Sequence, residues 1–451
     1  MTTEDVLKAV KYSDANKIKF AVTDMDGVLR GKTITKSKFQ KGLDEEIGFC
    51  DVVFGWDLND RVYDNTRVTG WQTGYPDAMA TIDLETFRKI PWNHEVPFFL
   101  ADFRNSDSLS EVCPRTLLRT VRGKALDMGF HPRFANEYEW FNFRETPESL
   151  SEKEYCNPAP LTPGMFGYSM LRSSQHQAYF DGLYDQLHQF DVPVEGIHTE
   201  TGDGVYEACI EYSDILEAAD RGILFKTGVK EIAYRHGVLP SFMAKWNAEL
   251  PGCSGHIHQS LWGLDQDKNL FYSETDEHRM SGLMKHYLAG LLHCLPHILP
   301  MYAPTVNSYK RFVEGSWAAT SASWGIENRT TAFRVINHSP GAMRVENRVP
   351  GSDANSYLSM AASMASGLYG IEHELSLSMP PTTGNAYEAG HQRPLPGTLR
   401  EAVRAMRSSD LPKKLFGDTF VDHFITTREW ECRQYEQAVT DWELKRYFEI
   451  I

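Results

Sequence analysis

Residues 134–143 read FANEYEWFNF, and the spacing of the two acids in that run sets the reading of everything around it. In an extended strand successive side chains alternate between faces, so Glu137 and Glu139 project to one side and Tyr138 to the other. A pair of strand glutamates is ordinarily a solvent-facing stripe. Here Phe134, Trp140, Phe141 and Phe143 flank the pair, too much apolar surface for a freely solvated strand. Two carboxylates on a buried face need a cation.

Two further motifs carry the same chemistry. In IHTETGDGVYEACIEY, after His198, Gly202 and Gly204 supply a tight turn able to bring Glu200 and Glu207 to one centre. In CSGHIHQSLW, His256 and His258 share one side of a strand, although a lone His-x-His is more often structural than metal-binding. Taken together, these carboxylates with one or two imidazoles make an oxygen-dominated set. That suits Mg²⁺ or Mn²⁺ and not zinc, for which thiolates or three histidines are expected.

Cations concentrate between residues 309 and 348: Lys310, Arg311, Arg329, Arg334, Arg344 and Arg348, in YKRFVEGSW, WGIENRTTAFRV and MRVENRVPG. Arg344, Glu346 and Arg348 alternate on one strand face, with Val345 and Val349 opposite. Several guanidinium groups beside a metal–carboxylate cluster are what phosphoryl transfer between anions requires. No GxxxxGK[ST] stretch occurs, so a nucleotide is not expected to be held as in P-loop proteins.

The chain has 451 residues and a formal charge of −15, with 41% hydrophobic and 24% charged residues, which predicts a folded globular protein of two or three domains. The negative balance argues against nucleic acid or an anionic membrane surface as partner. With no apolar run near the roughly 18 residues of a membrane span, no secretory h-region at the start and no CxxC among seven cysteines, reduced thiols in a cytoplasmic protein are expected. Residues 16–34 predict a strand with Ile18, Phe20 and Val22 on one side, then a turn at Asp26-Gly27. Short apolar runs continue to about residue 110, and a helical stretch follows Pro114. Residues 144–164 read as a surface insertion or lid. Helices are predicted over 213–236, 283–295 and 356–370, and through the tail 427–449, whose apolar residues are expected to dock on a partner. The outline is α+β: a small β-rich domain, residues 1–110, and a large α+β domain, residues 111–451.

In this order the motifs identify a resemblance to the glutamine synthetase family over nearly the whole length. FAVTDMDGVLRGK resembles the family's N-terminal β-grasp domain and NEYEWF its paired-glutamate strand. HTETGDGVYE, SFMAKW, SGHIHQSLW, NSYKRFVEGSW, WGIENRTTAFR and RVENRVPGSDANSYL resemble its later motifs. The resemblance implies a β-grasp domain before a catalytic domain built on an antiparallel sheet with helices. It also implies a homo-oligomer, a dodecamer of two hexameric rings with active sites between subunits. By position, Glu139, Glu200 and Glu207 would hold one metal, and Glu137, His256 and Glu346 a second that bridges the ATP phosphates. Arg311 would bind the glutamate α-carboxylate and Arg348 the γ-carboxylate, and Gly252 would be the glutamate-binding glycine. Arg329, Arg334 and Arg344 would stabilise the transferred phosphoryl group. Tyr212, His258 and Ser260 would contact ATP, with Arg344 on the nucleotide side. Asp64, lent by a neighbouring subunit, would bind and deprotonate the incoming nitrogen.

The resemblance also exposes departures. The family's flap glutamate is Trp317 here, Pro251 replaces an asparagine beside Gly252, and Val205 replaces a glutamine. The tyrosine modified in many bacterial members has no counterpart, Leu377 standing in that stretch. Trp317 cannot hold an ammonium by charge but offers an apolar wall or a cation–π face to a larger amine. The expected activity is therefore ATP-dependent ligation of glutamate to a small organic amine through γ-glutamyl phosphate. Alternatives are an ordinary glutamine synthetase using ammonia and a non-enzymatic structural homologue.

Overall fold

The computed structural model describes residues 1–106, 109–388 and 393–451. After α1 (Thr3–Tyr12), period-two burial of Ile18, Phe20 and Val22 forms β1 (Lys17–Thr23). The chain reverses at Asp24, whose Oδ1 accepts from the backbone N–H groups of Asp26 (3.0 Å) and Val28 (2.8 Å), while Gly27 takes φ +83°. The antiparallel β2 (Leu29–Thr35) follows, then α2 (Lys36–Glu45), whose Phe39 stacks on Phe99 at 5.0 Å. With β3 (Ile47–Cys50), β4 (Asp77–Ile82), β5 (Arg88–Ile90) and β6 (Val96–Asp102), these strands make a six-stranded sheet ordered β2-β1-β6-β4-β3, β5 lying beside β6. β1 and β6 run parallel at its centre.

The chain crosses to the second sheet through α3 (Pro114–Asp127), so the expected division at residue 110 falls in the connection. The apolar core is continuous across it, Phe99, Phe103, Leu118 and Ile257 belonging to one cluster. Next comes β7 (His131–Phe143), the long strand predicted from the paired acids. Helices α4 (Pro147–Glu152), α5 (Met170–Gln175) and α6 (Gln177–Gln189) lead to the hairpin β8 (Val194–Thr199) and β9 (Val205–Ile210). After β10 (Ser213–Asp214), α7 (Ile215–Arg235) starts where the Asp214 carboxylate accepts from the Leu216 N–H at 3.0 Å. Then come β11 (Leu239–Ser241), β12 (Gly255–Trp262), α8 (Gly282–Ile298), β13 (Ser321–Ala322), β14 (Trp324–Ile326), β15 (Phe333–Ile336), β16 (Arg344–Asn347) and α9 (Ser356–Glu372). The nine-stranded second sheet runs β14-β15-β16-β12-β7-β9-β8, with β10 and β11 also paired to β7. It is antiparallel except for the β14–β15 pair.

Aromatic residues decide which face of β7 is buried. Tyr138 stacks on Phe225 of α7 at 5.8 Å, and Trp140 meets the same ring edge-on at 5.5 Å. Period two then turns Glu137 and Glu139 to the opposite face. Residues 144–164 are a largely exposed segment, anchored where Arg144 N–H donates to Ala159 O and Leu161 N–H to Asn142 O, both at 2.8 Å. One expectation changes. Beyond β17 (Arg393–Pro394), α10 (Leu399–Arg407) and α11 (Leu411–Phe416), the tail is two helices, α12 (Asp418–Gln437) and α13 (Asp441–Tyr447), not one over 427–449. Gly417, at φ +83°, permits the break from α11, and Thr440 forms a capping box with Glu443 that restarts the chain as α13. Trp442, Phe448, Ile450 and Ile451 are exposed. The seven cysteines are free thiols. No helix among the described residues is long and apolar enough to cross a membrane.

Candidate active site

Three neighbouring strands bring the first acidic group together. His256 of β12 pairs in register with Glu137 of β7, and His258 with Glu346 of β16. Ligand atoms of Glu137, His256 and Glu346 lie within 4.8 Å of one another. His256 Nδ1 is 3.7 Å from Glu137 Oε1 and 3.4 Å from Glu346 Oε1, yet the ring is 3% exposed and neither nitrogen makes a hydrogen bond. Buried polar atoms are rarely left unsatisfied. A buried, unpartnered imidazole between two carboxylates fits a divalent cation. Burial opposes ionisation of Glu346, but the charges of Arg348 and His256 override it and hold the carboxyl at about 2. Burial likewise opposes ionisation of Glu137, which its contacts with Glu207 and His258 hold well below the usual carboxylate range.

The second group lies at the β8–β9 hairpin, where Gly202 (φ +145°) and Gly204 (φ +74°) turn the chain. Glu200 and Glu207 come together as expected, with His198 as a close companion, while Glu139, also expected there, stands opposite Glu207 in the β7–β9 register. A Glu139 oxygen accepts the Ser254 N–H at 2.6 Å, a backbone contact that side-chain spacing could not reveal. His198 Nε2 lies 3.8 Å from Glu207, its Nδ1 is 3.2 Å from Thr199 O, and Tyr168 covers the ring at 4.5 Å. Tyr168 carried no periodic or motif signal. Burial and the adjoining Glu137 push the Glu207 carboxyl strongly upward, because two such close carboxyls cannot both ionise without a neutralising cation.

A cavity of about 330 Å³ adjoins the first group and is lined by Tyr212, His258, Ser260 and Arg344, the residues expected at the nucleotide. Arg344 Nε donates to His258 Nδ1 at 3.1 Å, so the proton sits on Nε2, which faces Glu137 Oε2 at 2.8 Å. Arg133 and Trp262, overlooked in the sequence, line the same cavity, the guanidinium lying 4.4 Å from the indole and 5.6 Å from Tyr212. Both fall on the site face of their strands by the period that places Glu137 and Ser260 there.

The arginines divide. Arg311 is 2% exposed, donates to Ser254 Oγ at 3.2 Å and to Val349 O, and leaves Nε unpartnered. No carboxylate among the described residues pairs with it at ion-pair distance. A guanidinium so enclosed suits an anionic partner. Gly252 permits this placement: a Cβ there would collide with Ala244 O and lie 2.6 Å from Arg311 Cγ. Arg348 binds Glu346 at 2.5 Å and Arg329 O at 3.0 Å, while Arg334 bridges Glu346 (3.0 Å) and Glu327 (3.0 Å). Arg329 is exposed in a cavity of about 680 Å³ shared with Trp317, which is 57% exposed on the turn after Gly315. Two residues lie elsewhere. Lys310 stands over Tyr435 of α12 at 5.4 Å, and Asp64 forms a surface ion pair with Arg433 instead of joining the carboxylate groups of its own chain.

Comparison with known proteins agrees with this architecture. The family described as glutamine synthetase, catalytic domain, matches residues 111–447. Type-1 glutamine synthetase 2 of Dictyostelium discoideum is 49% identical over 100% of this chain and 87% of its own length. Glutamate–isopropylamine ligase of a Pseudomonas species is 36% identical over 98% and 97%. A solved GmaS–ADP complex superimposes with a TM-score of 0.85 at 26% identity, over 98% of this chain and 99% of that one. The chain belongs to the glutamine synthetase family of ligases.

Proposed function

We propose that this enzyme joins the γ-carboxylate of glutamate to a small organic amine, using ATP to form γ-glutamyl phosphate. The observation that carries the reading is Trp317, an exposed indole facing the cavity that also holds Arg329. An indole suits an alkyl- or arylammonium better than a bare ammonium, which gains most from charge. The likeness to the glutamate–isopropylamine ligase supports it. The likeness to a glutamine synthetase at 49% identity supports the second reading, ammonia as nucleophile.

In this scheme Arg311 holds the α-carboxylate of glutamate and Arg348 orients the γ-carboxylate. The 330 Å³ cavity takes the nucleotide, Tyr212 and Ser260 lying toward the base and His258 and Arg344 toward the phosphates. Glu137, His256 and Glu346 would hold one Mg²⁺ or Mn²⁺, and Glu200 and Glu207, with His198 or Glu139, another. Such ions, when bound, neutralise charge on the transferring phosphoryl group. Arg329 and Arg334 add planar donors to the same oxygens. Asp64 reaches the amine site of an adjoining copy in a ring-shaped homo-oligomer.

The test is a panel of amines and ammonia with glutamate and ATP, following product amide. An alkylamine or arylamine is expected to give the highest kcat/KM, and Trp317→Glu to shift the preference toward ammonia. A wild-type enzyme that prefers ammonia overturns the reading.

A further inference from the structure

The 680 Å³ cavity holds a combination that the scheme above leaves unused. Among its described lining residues Glu327 carries the one carboxylate, and it shares the cavity with the Trp317 ring. Both residues have left-handed backbone, φ +51° at Glu327 and +62° at Trp317. That conformation costs a residue bearing a Cβ roughly 1–2 kcal/mol and persists only where the surroundings impose it.

The hold on Glu327 is specific. Its N–H donates to Val335 O at 3.0 Å. The next residue, Asn328, donates to Thr382 O at 3.0 Å and to Gly384 O at 2.9 Å, and accepts the Thr330 N–H at 3.0 Å. Arg334 takes Glu327 Oε2 through Nε, at 3.0 Å, and through Nη2. Oε1 is withdrawn from solvent and makes no hydrogen bond, its ion-pair contact being His338 Nε2 at 3.2 Å, on a ring 69% exposed. One oxygen is therefore fixed by Arg334, and the other is covered by the exposed His338 ring. Arg334 continues to Glu346, so this carboxylate stands one guanidinium from the first acidic group.

We propose that Glu327 is a catalytic residue of the amidation step, holding the protonated amine against the Trp317 ring and accepting its proton. The inference rests on the glutamate–amine reading. A primary alkylamine is a cation near neutral pH and must lose a proton before it attacks. A carboxylate oxygen on one side and an indole face on another form a site for such a cation. Arg329, in the same cavity, repels the amine and attracts the phosphorylated acid, so the two reactants are drawn to opposite parts of one space. The N–H bond of the ammonium breaks as its proton moves to Oε1. The freed electron pair forms the C–N bond at the acyl carbon, and the C–O bond to the phosphoryl group breaks. Phosphate leaves with the electron pair of that C–O bond and takes the second amine proton, and Glu327 returns its proton to water.

The experiment compares wild type with Glu327→Gln and Glu327→Asp, using two nucleophiles at saturating glutamate and ATP. One is the best alkylamine of the panel. The other is hydroxylamine, which is largely uncharged near pH 7 and needs no prior deprotonation. For Glu327→Gln, kcat/KM for the alkylamine is expected to fall about 100-fold or more beyond any fall for hydroxylamine, and the hydroxamate that still forms shows that the variant is folded. Glu327→Asp keeps the charge and should retain part of the alkylamine rate. Equal loss with both nucleophiles overturns the proposal, since Glu327 would then only brace Arg334, as does unchanged alkylamine kinetics. Failure of the glutamate–amine reading itself appears earlier, as wild-type enzyme that forms no alkylamide.

Discussion

Gly252 shows how closely backbone and substrate chemistry are joined at the residue scale. The Arg311 side chain lies against its α-carbon, leaving no room for a methyl group. Gly252→Ala must push Arg311 off its contacts with Ser254 and Val349. The expected result is a KM for glutamate raised tenfold or more, about 1.4 kcal/mol, with nucleotide affinity unchanged because Tyr212, Ser260 and Arg344 line a separate cavity. Steady-state kinetics with each substrate varied, together with ADP titration of the variant, separates the two effects. An equal loss of both affinities would count against a glutamate-specific role for Arg311. The acids and imidazoles themselves, Glu137, Glu139, His198 and His256, stand out by their spacing within single motifs. The Ser254 N–H on the Glu139 carboxylate does not, because it joins segments 115 residues apart in the chain.

At the scale of elements, α8 and α9 show what periodicity can and cannot report. Leu288, Leu291 and Leu295 mark the apolar face of α8, and the run SYLSMAASMASGLYG reads as a small-residue helix without saying why it is small. The reason is contact between backbones. A Cβ on Gly290 would collide with Ser366 O and lie 2.7 Å from the Gly370 amide nitrogen, and a Cβ on Gly370 would strike His286 O. Nearly every α9 residue is buried, so the helix cannot slide outward to make room. Gly290→Ala is accordingly expected to cost about 1–3 kcal/mol as an overpacked site, despite the gain in helix propensity that Gly→Ala brings to an exposed helix. Urea unfolding of variant and wild type measures it, and a stabilised variant would show that the two helices can separate freely. The same distinction governs the tail. Its helical character was visible in the sequence, but its division at Thr440 rests on a capping box whose geometry a continuous periodic pattern conceals.

For the whole molecule, the buried Arg115 is one of the cations that tie the first sheet to the helices beyond it. Arg115 binds Asp220 through two bonds, 2.9 and 2.8 Å, and reaches Asp83 at 2.8 Å and Asp102 at 2.7 Å in the first sheet and the turn after it. Tyr357 of α9 donates to the same Asp220 at 2.6 Å. Removing one partner of a buried ionic network leaves uncompensated charge, so Arg115→Ala is expected to cost about 3–5 kcal/mol. The pH dependence gives a sharper signature. Burial by itself would raise the carboxyls of Asp83 and Asp102, but Arg115, with Arg104 and Arg119, overrides it and holds both below their ordinary value. Groups whose folded pKa is depressed contribute stability above the unfolded value, near pH 3.9, and lose it as pH falls toward the folded value. Wild type should therefore weaken in acid below about pH 4. In Arg115→Ala the largest opposing charge is gone while Arg104 and Arg119 remain, so these carboxyls are depressed less and the variant loses less stability in acid than wild type. Its deficit relative to wild type must then shrink as pH is lowered. Urea midpoints for both proteins at pH 7 and near pH 4 decide the matter: a deficit that stays constant or widens in acid would show that Arg115 packs this junction without neutralising its carboxylates.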